Sequence, residues 1–119
     1  MIEHGTFTLY TPDLAQLPPD AMMRKWLKIG ALFIRNEAGV DWYEIAHRGP
    51  TGKTFVMLAQ DGRVASVGND PERMFPNEHR VVETDLPVEM GWYLVGDTFL
   101  PQLPVPEIPM SQNGAPVDV

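Results

Sequence analysis

Lys53-Thr54-Phe55-Val56-Met57-Leu58-Ala59-Gln60-Asp61-Gly62-Arg63-Val64-Ala65-Ser66-Val67 decides the fold class. Two apolar runs flank Asp61-Gly62, the strongest short hairpin signal in the chain. A type I′ turn needs φ > 0 at both central residues, and Asp-Gly meets that demand. The reading predicts strands over 53–60 and 63–67. Its register sets Leu58 opposite Ala65 and Val56 opposite Val67, with Ala59 and Val64 sharing the other face.

Working outward, residues 2–10 read as a strand with Phe7 and Leu9 on one face and Thr6, Thr8 and Tyr10 on the other. Thr11-Pro12-Asp13 breaks it. Pro18-Pro19-Asp20 opens a helix, since proline suits a first turn and Asp20 suits the positive end of the dipole. Met22, Met23, Trp26, Leu27 and Ile29 form its apolar stripe, and Gly30 stops it. Residues 31–35 read as a strand, Asn36-Glu37-Ala38-Gly39 as a turn, and 40–47 as the return strand, with Trp42, Glu44 and Ala46 opposite Tyr43, Ile45 and His47. Residues 48–52 are a loop, and Pro71-Glu72-Arg73-Met74 is at most one helical turn. A strand over 80–84 and a hairpin over 91–100 around Gly96-Asp97 complete the domain. The sum is α+β: a small, mostly antiparallel sheet, a meander of hairpins, with one short helix packed across it.

The expected organisation is a single α+β domain over 1–100 and a proline-rich C-terminal arm over 101–119. Five of the chain's 12 prolines lie between Pro101 and Pro116. Each removes a backbone donor and fixes φ, which excludes a helix or a central strand and favours an extended, PPII-like arm. Leu103, Val105, Ile108 and Met110 give that arm apolar side chains suited to docking on its own domain or on a neighbouring chain.

Composition narrows the function. The chain has 119 residues, no cysteine and a formal charge of −7. Disulfides and thiolate chemistry are excluded. The acidic balance argues against nucleic acid, whose phosphates call for clustered Lys and Arg. No apolar run is long enough for a membrane span, and the N-terminus lacks the basic and apolar regions of a signal peptide. Gly49-Pro50-Thr51-Gly52-Lys53-Thr54 touches the nucleotide-binding P-loop pattern. That pattern needs glycine where His47 stands and a helix where a strand is expected. His4, His47 and His79 have no metal-ligand spacing on any one element. The carboxylate pairs Glu83 with Asp85 and Asp41 with Glu44 read as a solvated acidic face, and no nucleophile elbow occurs. No catalytic, metal or cofactor-binding residue is assigned, and no cofactor is expected. Trp26 and one of Trp42 or Tyr43 read as core. Trp92, Tyr93 and Phe99 form either an intramolecular lid or the anchor of an interface. With Leu103, Val105 and Ile108 they are the candidate partner-binding set.

Three segments also carry a resemblance. Ala31 to Glu44, containing Arg35-Asn36-Glu37-Ala38-Gly39-Val40-Asp41-Trp42-Tyr43-Glu44, resembles the "R-[DN]-x-x-G-x-D-W-Y-E" stretch of small tail proteins of tailed bacteriophages. Asp61-Gly62-Arg63-Val64 followed by Asn69-Asp70 and Met74-Phe75-Pro76 resembles their "D-G-x-[IV] … D … L-x-P" segment. Val82-Glu83 to Pro87, then Gly91-Trp92-Tyr93 to Phe99-Leu100-Pro101, resembles their ending, shared loosely with tail-fibre assembly proteins. The match spans roughly residues 31–101. It implies a non-enzymatic tail or tail-fibre accessory protein, either a virion component or a fibre-assembly chaperone. Its partners would be other phage tail or fibre proteins or further copies of itself, in the virion or, during assembly, the host bacterial cytoplasm. Two alternatives stand beside it: a capsid-associated virion protein, and a small ligand-binding or hydrolase domain using His47 or His79 in a cleft beside a carboxylate.

Overall fold

The structure, a computed structural model, describes residues 1–16 and 22–104. The helix opening at Pro18-Pro19-Asp20, and Val105 and Ile108 of the arm, lie outside the described residues. In chain order the elements are β1 (Ile2–Thr6), β2 (Thr8–Tyr10), α1 (Met22–Lys28), β3 (Phe33–Arg35), α2 (Trp42–Ala46), β4 (Thr54–Leu58), β5 (Val64–Gly68), β6 (Arg80–Thr84), β7 (Tyr93–Val95) and β8 (Thr98–Leu100), with 3₁₀ turns at Leu14–Gln16 and Pro71–Arg73. The main sheet runs β1-β6-β4-β5, and β2-β3 and β7-β8 form separate ladders. Every ladder is antiparallel, so the fold is the α+β class expected from the hairpin pattern.

The β4–β5 hairpin forms with Val56 opposite Val67, but its turn is wider than expected. The Ala59 carbonyl accepts from the Gly62 amide at 2.9 Å, and the Ala59 amide donates to the Arg63 carbonyl at 2.9 Å. Gly62 alone takes the left-handed conformation, φ 85°, while Asp61 does not. A type I′ turn is therefore replaced by a three-residue loop with glycine in the left-handed position. The Asp61 carboxylate accepts from the Arg63 amide at 3.0 Å and holds that loop. A register shift past Met57 then sets Leu58 against Val64 rather than Ala65.

Alternate residues of the central strands point to opposite faces, and both faces are covered. Phe55 and Val81 join Phe7, Ile34, Trp42, Ile45 and Ala46 on one side. Val56, Leu58, Val64 and Val82 join Phe99 on the other. A strand buried on both faces reads as a continuous apolar run, which explains Phe55-Val56-Met57-Leu58.

The expected first strand is two strands. A register shift between Glu3 and Gly5, with Gly5 at φ 88°, re-aims the chain. It leaves the main sheet at Phe7, whose amide donates to the His79 carbonyl at 3.1 Å and whose carbonyl accepts from the Glu78 amide at 2.7 Å. Phe7 is wholly buried and Leu9 is 53% exposed, so the two do not share a face. The expected return strand over 40–47 is also corrected. Only an Arg35–Asp41 bridge remains of it, and α2 follows. Trp42, Ile45 and Ala46 are buried at i, i+3 and i+4, a helical spacing that this short stretch shares with alternation.

Neighbouring segments cover both edges of the main sheet. Along β5, Val64 donates to the Trp92 carbonyl at 2.6 Å, Gly91 to the Val64 carbonyl at 2.9 Å, and Leu94 to the Gly62 carbonyl at 2.9 Å. Along β1, the Asn36 side chain donates to the His4 carbonyl at 2.7 Å, and the Glu37 carboxylate accepts from the Thr6 amide at 2.9 Å. Blocked edges resist strand addition by other chains. The β7–β8 turn, Gly96-Asp97, has φ 65° at glycine only, the pattern of a type II′ turn. Its hairpin sends Phe99, 5% exposed, into the second core cluster beside Trp92 and Leu94. We expect Phe99→Ala to destabilise the fold by about 3–5 kcal/mol. Hydrogen exchange at the Val64 and Leu94 amides should rise with it; retained protection there would show that Phe99 does not hold the hairpin down.

Candidate functional site

Asp41 organises the region with the strongest concentration of aromatic side chains. Its carboxylate accepts from the Tyr43 amide at 2.8 Å, capping α2, and also receives the Tyr10 hydroxyl in a short hydrogen bond. The helix ends where His47 donates to the Tyr43 carbonyl at 2.9 Å and Gly49, at φ 76°, donates to the Ala46 carbonyl at 2.9 Å. Trp42 points inward, with Nε1 donating to the Met74 carbonyl at 2.9 Å and its ring edge-on to Phe7 at 5.3 Å. Glu44 and Arg48 face outward as an i, i+4 pair at 3.6 Å. Tyr43 and His47, also one turn apart, are left on the flank.

That flank is a cleft. The Tyr43 ring lies 4.8 Å from Trp26 and 5.4 Å from Phe33, and its hydroxyl donates to the Leu32 carbonyl at 3.1 Å. Trp26 reaches it from α1, a helix with no buried residue. The chain leaves α1 through paired bonds, Gly30 to the Leu27 carbonyl at 3.1 Å and Ala31 to the Trp26 carbonyl at 2.9 Å, with Gly30 at φ 82°. Trp26, Tyr43, His47, Glu72 and Met74 enclose about 270 Å³ above Trp42. Glu72 sits on the 3₁₀ turn capped by Asp70, which accepts the Glu72 amide at 3.1 Å. The His47 Nδ1 and Glu72 carboxylate are 4.0 Å apart, with side chains 84% and 57% exposed.

The other histidines stand elsewhere. His79 borders a shallow polar depression with Asp61, Asn77 and Glu78, and its Nδ1 lies 2.7 Å from the Asn77 carbonyl. Glu78 there takes φ 61°, an uncommon conformation for a residue with a side chain. His4 is built into the fold: its Nε2 is 2.6 Å from Glu83, its ring stacks on Phe55 at 5.9 Å, and Glu83 also accepts the Thr51 hydroxyl at 2.8 Å. Glu83 is thus a buried, satisfied carboxylate rather than part of a solvated acidic face. Lys53 pairs with Asp85 at 2.6 Å. Thr51 and Lys53 of the P-loop-like segment are therefore committed internally, and β4 follows them.

The candidate partner-binding residues fall in unlike surroundings. Phe99 is core, Trp92 and Tyr93 are half-buried along the β5 edge, and Leu103 is 50% exposed. Sequence reading missed the cleft because it placed Tyr43 and His47 on a strand. The missed signal was Asp41 followed by Glu44, a cap residue with an acid three positions on. Among the described residues no group of three or more His, Asp or Glu is placed to hold a metal ion, and no helix is long and apolar enough to cross a membrane. No protein-family model matches the chain, and no curated protein is significantly similar to it.

Two ionisable contacts give opposite pH dependence. Burial holds the Asp41 carboxyl above its ordinary 3.8. Its contribution to stability is full below 3.8 and is lost as the pH rises through the raised value. The Arg80 hydrogen bonds hold Glu3 below its ordinary 4.5, so that contribution is full above 4.5 and is lost as the pH falls through the lowered value. Urea melts of Glu3→Gln across the acid range should show a flatter loss of stability below pH 4.5 than the parent chain. Asp41→Ala should cost about 1–2 kcal/mol through the lost cap, and Asp41→Asn much less, since asparagine caps as well. Equal melting of the two Asp41 variants would remove the cap from the account.

Proposed function

We propose that the chain is a non-enzymatic accessory protein of a phage tail or tail fibre, acting through protein–protein contact either in the virion or in the host cytoplasm during assembly. The resemblance of residues 31–101 supplies the setting. The observation that carries the contact is an apolar groove between α1, β2 and β3, lined by Leu9, Leu27, Ala31, Leu32 and Phe33 and filled by none of the described residues. Leu9 and Leu32 are 53% and 59% exposed, and Ile29 beside them in sequence is 80% exposed. A helix whose apolar stripe buries no residue leaves hydrophobic surface to be covered, and contiguous surface of that kind marks interaction sites. Trp92, Tyr93 and Leu103 supply a second contact region, with Phe99 anchoring its hairpin from beneath.

A second reading, a small ligand-binding or hydrolase domain, draws on one observation: His47 lies beside Glu72 at the rim of the aromatic cleft. Both side chains are open to water, and the cleft is smaller than the roughly 300–1,000 Å³ typical of small-molecule sites. Protein contact is the better-supported reading.

The test is co-expression with the proteins encoded beside this chain, followed by purification through a tag on it. We expect a stable complex that Leu9→Ser with Leu32→Ser abolishes while the melting temperature stays near that of the parent. A chain that purifies alone and is monomeric by light scattering would overturn the assembly reading.

A further inference from the structure

The aromatic cleft has a chemistry distinct from the apolar groove. Trp26 and Tyr43 are half-buried and line its wall, Trp42 forms its floor, and a single carboxylate, Glu72, stands at its mouth. Among the described residues that carboxylate has no hydrogen-bond partner; the His47 Nδ1 stands 4.0 Å away, beyond hydrogen-bond reach. Aromatic faces attract cations through their quadrupole, and a guanidinium both stacks on such faces and pairs with a carboxylate in two parallel hydrogen bonds. The protein already makes the stacking half of this arrangement internally, with the Arg35 guanidinium 4.5 Å above the Tyr10 ring.

Size and charge select the occupant further. About 270 Å³ accommodates one side chain rather than a cofactor. A neutral apolar side chain would cover Glu72 without pairing it, which is costly. An anion would meet Glu72 and a chain of net charge −7, whereas that charge draws a basic partner in. We propose that the cleft between α1, α2 and the Pro71–Arg73 turn receives one basic side chain of a partner polypeptide, arginine in preference to lysine. This rests on the reading of the chain as a protein-contact module and names the chemistry of one of its contacts.

The experiment titrates N-acetyl-arginine amide into the full chain labelled with ¹⁵N, and follows the Trp26 indole and the Tyr43, His47 and Glu72 amides. The citrulline analogue, equal in shape but uncharged, and the lysine analogue are the controls. We expect saturable shifts confined to these residues, with binding of citrulline weaker by about tenfold and that of lysine by a few-fold, as for loss of a charge-assisted, bidentate contact. Glu72→Gln should bring arginine down to the citrulline level and leave citrulline unchanged; Trp26→Leu should weaken arginine by about two- to fivefold. Equal binding of arginine and citrulline, arginine binding indifferent to Glu72→Gln, or no saturable shift at these residues would each overturn the proposal. The parent chain, assayed both for co-purification and for arginine binding, separates the two readings. Arginine binding retained in a chain that co-purifies with nothing sinks the assembly role alone. A complex formed without arginine binding sinks the cleft alone.

Discussion

Strand β4 bears apolar side chains on both its faces, and most of the remaining chain is disposed to keep water from one or the other. Phe55 requires α2 and the β2–β3 ladder on its side; Val56 and Leu58 require the β7–β8 hairpin on theirs. A sheet of four strands cannot bury two faces by itself, so each covering layer is held in place by local devices. Asp41 caps α2, Gly62 widens a turn, and the Gly91–Leu94 backbone locks onto β5. At the rim of the first face, the buried Glu83 carboxylate is tolerated because His4 and Thr51 satisfy both its oxygens. That cluster ties the first strand of the chain to the last strand of the sheet.

Much of this architecture is legible in the residues. Gly62, Gly96 and the proline breaks mark the turns, and β4, β5, β6 and the final hairpin fall where alternation and apolar runs place them. Errors came where two periods coincide. Trp42-Tyr43-Glu44-Ile45-Ala46 is too short to separate a repeat of 2 from one of 3.6, and only the Asp41 cap breaks the tie. The split of the first strand at Phe7 was hidden for another reason. A bulge at Gly5 reverses which side chains face inward, and the lone glycine inside the strand pattern was its only signal.

The candidate site was less legible than the fold, because it is assembled from distant pieces. Trp26, Tyr43 and Glu72 belong to three separate elements, and nothing in any one segment shows that they meet. His47 was singled out as a residue, but its company depended on the helix. His4 and Glu83 lie 79 positions apart, and their bond is visible only in three dimensions. The aromatic hairpin was recognised correctly as a unit, yet its residues divide the work: Phe99 is spent on the core, while Trp92 and Tyr93 keep part of their surface.

The strand order β1-β6-β4-β5 carries a consequence for biosynthesis. β6 is the last of the four to leave the ribosome, yet it lies between the first and the second of them, β1 and β4. Until residues 80–84 emerge, the β4–β5 hairpin presents an open edge and β1 has no neighbour, and the Val56 face waits longer still, for the β7–β8 hairpin. Closure of the sheet waits for nearly the whole domain and joins segments far apart in sequence, which slows folding and lengthens exposure to aggregation. The nascent chain is thus most exposed to aggregation before β6 has paired with β1 and β4.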